Sequence, residues 1–152
     1  MPYILLLPSL ICAVALSIED INSRRIPRLW VILGATVQLL VFICWTLING
    51  NLSSLVVCVL LAFGSTAIQF LVVLIKPGII GFGDVTCTFV VALAVAWLGV
   101  TTTLIWWCLM GILGVIGIAV FARRNGSIAF APVITIAMIL AIMADAMSPL
   151  LV

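Results

Sequence analysis

Long apolar stretches alternate with short clusters of charge along this chain. The ionisable side chains are Glu19, Asp20, Arg24, Arg25, Arg28, Lys76, Asp84, Arg123, Arg124 and Asp145, apart from Tyr3 and the cysteines. Of the charge-free intervals, 1–18 is long enough for one span, 29–75 for two, 85–122 for two short ones and 125–144 for one. Turn chemistry divides the longer intervals at Asn49-Gly50-Asn51 and, more weakly, at Gly99-Val100-Thr101-Thr102-Thr103. The pattern predicts six helices, near residues 3–18, 29–48, 54–75, 85–99, 104–122 and 128–147. A run of about 20 apolar residues crosses a bilayer as a helix, because its backbone groups are then satisfied within the segment. These runs are too long for barrel strands. The expectation is an all-α membrane protein of six transmembrane helices, one domain over residues 1–152.

Composition agrees with the pattern: of 152 residues, 67% are hydrophobic and 7% charged, too few charges to make a water-exposed surface. The net charge of +2 is dispersed among short connections, which leaves nucleic-acid binding without an electrostatic footprint. Cys12, Cys44, Cys58, Cys87 and Cys108 form no C-x-x-C pair and there is no histidine. The cysteines read as small core hydrophobes, and no metal or organic cofactor is expected. The N-terminus lacks the positive region of a cleavable signal, so Tyr3–Ile18 reads as a permanent first span. Basic residues near helix ends stay on the cytoplasmic side. All six fall on the first, third and fifth connections, which places both termini outside the cytoplasm.

A carboxylate at the hydrocarbon boundary is costly and is usually functional or paired. Asp20 closes the first span and Asp84 opens the fourth, and both are predicted on the cytoplasmic face. Two aspartates in proximity repel, so one holds a proton while the other stays ionised. Such a pair can activate a water and protonate a leaving amine. Gly81 and Gly83 allow unusual backbone angles or a close approach of another segment. The alternatives are a helix cap or a partner for a nearby Arg at Asp20, and the N-cap of the fourth helix at Asp84. Glu19 rivals Asp20, but successive helical residues point about 100° apart and cannot both face one partner. Asp145 reads as an interfacial group facing water, Trp106-Trp107 as an interfacial anchor, and Gly64, Ala67, Gly111 and Gly117 as small surfaces for helix packing. Arg24, Arg25 and Arg28 read as topology determinants.

Asp20-Ile21-Asn22-Ser23-Arg24-Arg25-Ile26-Pro27 resembles the first motif of the type IV prepilin peptidases, and Gly81-Phe82-Gly83-Asp84-Val85 resembles their second, G-x-G-D. Ile128–Pro132 is similar to the proline-containing start of their last helix. The resemblance runs from Asp20 to Pro132. It implies a membrane aspartic endopeptidase of the bacterial inner membrane, with Asp20 and Asp84 catalytic and Gly81, Phe82, Gly83, Arg24 and Pro27 in the active-site motifs. The implied substrate is a prepilin or pseudopilin, whose short basic leader is cut at the cytoplasmic face; membrane lipid is the other partner. The C-x-x-C region that accompanies methyl transfer in longer members is missing from this sequence. Arg28 stands where Asn or Asp is common, which bears on leader recognition. Thr86 replaces a frequent Lys, a cation that would favour an ionised aspartate. A presenilin-like intramembrane protease and a non-enzymatic transporter or scaffold remain alternatives; the basic loop just after Asp20 and the lack of repeated halves with broken helices weigh against them.

Overall fold

The computed structural model describes residues 2–24, 26–75, 81–122 and 129–148. A 3-10 turn, Pro2–Leu6, leads into α1 (Leu7–Ser23). Then follow α2 (Arg28–Asn49), α3 (Leu52–Ile75), α4 (Phe82–Trp97), α5 (Val100–Gly117) and α6 (Ala131–Met147). Among the described residues all regular structure is helical, and α5 runs on as a π-helical turn over Ile118–Ala122. Four helical stretches are long and apolar enough to cross a membrane: Tyr3–Ser23, Arg28–Asn49, Leu52–Ile75 and Val100–Val120. At 16 and 17 residues, α4 and α6 are shorter. The six expected helices are thus present as helices, while by length four are spans. Lys76, Arg123, Arg124 and Arg25, which the topology argument uses, lie outside the described residues, as does Ile128.

The core is built around α4, which packs against each of the other five helices. Its sequence is apolar all round and rich in Ala and Val, as a helix enclosed on every side requires. From Val90 to Val95 no residue retains any exposure. Small side chains let neighbours approach closely, the main source of helix association where lipid removes the hydrophobic driving force. Large apolar residues on α2, α3 and α5, including Leu47, Ile48, Ile75 and Val115, face outward instead.

Buried polar side chains join the helices. Gln38 accepts from the Ser9 N–H at 2.9 Å and donates to the Leu5 carbonyl at 2.8 Å. It thereby satisfies both backbone groups where the 3-10 turn meets α1. Thr88 donates to Gln69 Oε1 at 2.6 Å, linking α4 to α3.

Several local expectations change. The turn after α4 is tighter than the Gly99–Thr103 reading, because Gly99 at φ 118° reverses the chain and Val100 already begins α5. Trp106 is fully buried, its indole N–H donating to the Ile134 carbonyl at 3.2 Å, and Trp107 donates to Ser65 Oγ at 3.1 Å. The pair therefore ties helices together rather than anchoring an interface, since a buried indole needs an acceptor. A Cβ on Gly64 or Gly111 would meet nothing within 4 Å, whereas Gly114 lies against Phe130 and Gly117 against Val133. Of the glycines expected to pack helices, Gly117 does so, while the closest approach is that of Gly34 on α2 to Cys12 on α1.

Candidate active site

Asp20 sits in the last turn of α1 and keeps 7% of its exposure. Glu19, one step round the helix, is exposed. The 100° step therefore separates the two acids as expected, one inward and one outward. α1 ends on Arg24, which adopts the left-handed conformation (φ 52°, ψ 31°) while its N–H donates to the Asp20 carbonyl at 3.0 Å. A non-glycine residue is costly in that conformation, and the reversal sends the chain across to Pro27, the N-cap of α2.

Asp84 lies in the first turn of α4, with Gly81 at the N-cap. It is the third helical residue, so the alternative reading of Asp84 as the N-cap itself does not hold. Its Oδ2 accepts from the Gly81 N–H at 3.0 Å, filling one of the donor sites that a helix start leaves open. The two glycines of G-x-G-D serve close approach, not backbone freedom, since neither has a positive φ. A Cβ on Gly81 would stand 3.1 Å from Asp84 Oδ2, and one on Gly83 would stand 2.9 Å from Ile26 Cβ. Gly83 thus lets the Ile26-Pro27 connection lie directly on the start of α4, joining the two motifs in space.

Both aspartates line a single cleft of about 410 Å³, together with Arg24, Ile26, Arg28, Gly81, Phe82, Gly83 and Thr86. Each also caps a helix: Asp84 its own, and Asp20 the start of α6, through Oδ2 and the Ala131 N–H at 3.1 Å. In each case the cap engages Oδ2. Asp84 lies outside the four long spans, ahead of the apolar run that begins at Val85. Burial, and after it the charge of Asp20, pushes its carboxyl up to about 6, against the pull of the Gly81 N–H. The charge of Asp20 is thus felt at Asp84 across the cleft they share.

The sequence model of the type IV leader peptidase family matches residues 7–116. The chain belongs to that family. No curated protein and no solved structure matches it. The match takes in both motifs and α1 through α5, and ends before α6. This family member is a protease of the prepilin-peptidase type and, with its four long apolar helices, a multi-pass membrane protein.

Of the motif residues, Gly81, Phe82, Gly83 and Arg24 share the cleft with the aspartates. Pro27 lines a neighbouring cavity of about 400 Å³ with Ala15, Leu16, Ile18, Glu19 and Trp30. Sequence reasoning undervalued Ile26, Arg28 and Thr86 as cleft residues; Thr86 donates to the Gly83 carbonyl at 2.7 Å. It also missed Ala131. A signal was present, because Phe130 at the N-cap of α6 offers no side-chain acceptor and some other element must supply one.

Proposed function

We propose that this family member is an aspartic endopeptidase in which Asp20 and Asp84 act together. Its substrates are type IV prepilins or pseudopilins, cut between basic leader and hydrophobic segment at the cytoplasmic face of a bacterial inner membrane. The observation that carries this reading is one cleft holding two carboxylates, each oriented through Oδ2 by a helix N-terminus. A water between the two carboxylates gives a proton to the ionised aspartate as its oxygen attacks the scissile carbonyl. The protonated aspartate hydrogen-bonds the carbonyl oxygen, so charge is neutralised as it develops. Collapse of the tetrahedral intermediate breaks the C–N bond, and a proton from the pair goes to the leaving amine. Asp84, whose carboxyl is pushed up, begins as the proton holder.

On this reading α4 and α6 also cross the bilayer, giving six spans with both termini outside the cytoplasm. The shortness of α4 is tolerable because it is shielded from lipid by its neighbours. The helices alternate so that the end of α1 and the starts of α4 and α6 share one face, the one with Arg24 and Arg28.

The test is cleavage of a leader-bearing prepilin by purified protein in detergent or membranes. Asp20→Asn and Asp84→Asn should each abolish it at normal insertion levels, and the double variant should be no worse, as for residues acting as a unit. Retained activity in Asp84→Asn, with loss in Glu19→Gln, would assign the chemistry to a different carboxylate and leave G-x-G-D as a helix cap.

A further inference from the structure

The family match stops at residue 116, yet the first N–H of α6 holds one of the two aspartates. We infer that α6 is part of the catalytic apparatus, with Thr135 and Ser17 as positioning residues that hold Asp20 in register. This rests on the dyad reading above.

Two rungs join α1 to α6. In the first, the Ala131 N–H donates to Asp20 Oδ2 at 3.1 Å. In the second, Ser17 Oγ and Thr135 Oγ1 share a hydrogen bond of 2.8 Å. The Ala13 carbonyl lies 2.7 Å from Ser17 Oγ and 3.2 Å from Thr135 Oγ1, so it accepts whichever proton the hydroxyl pair does not share. Ser17 and Asp20 are three apart on α1, and Ala131 and Thr135 four apart on α6, so each pair forms one stripe on its helix. All four residues are buried, which keeps competing water out of both rungs.

The need for a second rung follows from where Asp20 stands. It occupies the last turn of α1, just before the chain turns left-handed at Arg24, and terminal turns open most readily. The N-terminus of α6 depends on Asp20 in return, since Phe130 supplies no cap and Pro132 in its first turn has no N–H to offer. One rung alone would leave α1 free to roll about the Asp20 carboxylate. With two, roll and height of α1 are both set, and the Asp20 carboxylate keeps its place in the cleft. Interhelical hydrogen bonds in membranes are individually weak, so the Ser17–Thr135 contact matters more for geometry than for stability. Removing the Thr135 hydroxyl leaves Ser17 still bonded to Ala13, so no buried polar group is orphaned.

The experiment measures kcat, KM and thermal midpoint for the full chain in detergent with a leader-bearing prepilin. Thr135→Val and Ser17→Ala should each lower kcat by about 10-fold or more, the size of effect a small misplacement of a reacting group produces, with KM nearly constant. The double variant should be no worse than the poorer single one, and Thr135→Ser, which keeps the hydroxyl, should recover most of kcat. Wild-type kcat in both single variants overturns the inference, as does a loss confined to KM. Equal impairment in Thr135→Ser and Thr135→Val also overturns it, since the loss would then come from packing. If Thr135→Val does not accumulate, Ser17→Ala decides by the same criteria. Full activity in Asp20→Asn would instead refute the dyad itself, so the two failures are distinguishable.

Discussion

The two ends of the helix bundle each hold buried or half-buried aspartate, and they use it differently. At one end Asp20 and Asp84 each commit Oδ2 to a backbone N–H and line one cleft. At the other, Asp145 commits both oxygens: Tyr3 donates to Oδ2 at 3.1 Å and Thr102 to Oδ1 at 2.6 Å. That network pins the N-terminal 3-10 turn, α5 and α6 together. The expected water-facing role of Asp145 is thus replaced by a structural one, because two hydroxyls reach it from neighbouring elements. A carboxylate held by hydroxyls on both oxygens is a staple, whereas one held through a single oxygen and lining a cleft is oriented and still able to react. The number of hydrogen bonds matters less than whether an oxygen remains for a substrate or water.

The largest effect that could break this contrast is on activity. Asp20→Asn and Asp84→Asn are expected to lose on the order of 10³-fold or more in cleavage rate, while Asp145→Asn stays within about twofold of wild type. Asp145→Asn should instead unfold earlier in a detergent melt, by about 1–3 kcal/mol, since one charge-assisted bond becomes neutral or is lost. A catalytic loss in Asp145→Asn equal to that in Asp20→Asn would erase the distinction between the ends.

A smaller effect is expected at Gly83, where an added Cβ meets Ile26 at 2.9 Å. Gly83→Ala should destabilise by about 1–3 kcal/mol through overpacking and also reduce kcat, because the Ile26-Pro27 connection and the start of α4 must separate. Gly64→Ala, in open space, is the control. Equal melts for the two would show that the motifs do not press on one another.

The smallest effect concerns the charge on Asp84. With its carboxyl raised to about 6 in the fold, the chain loses stability as pH rises between the ordinary carboxylate range and about 6, because only the unfolded chain ionises there. Above about 6 the whole penalty stands, and below about 4 the carboxyl is neutral in both states. Asp84→Asn should therefore be inactive yet more stable than wild type at pH 7–8, by about 1–2 kcal/mol after solvent screening, with the gap closing toward pH 4. A gap that widens as pH falls would mean that the folded state prefers the ionised carboxylate.

Much of this was legible before folding. Long apolar intervals dictated helices, and the charge clusters marked where they end, since lipid tolerates neither unpaired backbone nor unshielded charge. Helical geometry alone separated Asp20 from Glu19. The two motifs pointed to the family that residues 7–116 match. Other features came only from packing. No spacing rule says that α4, among six apolar helices, is the enclosed one, because its neighbours decide which faces meet lipid. Gly83 of G-x-G-D admits Ile26, a contact between segments more than 50 residues apart. Asp145 became a staple because Tyr3, at the far end of the chain, came within hydrogen-bond distance. Sequence fixes which residues carry charge and how each helix orients its own stripe; only the tertiary structure decides what stands opposite a carboxylate, and hence whether its second oxygen is filled or left to react.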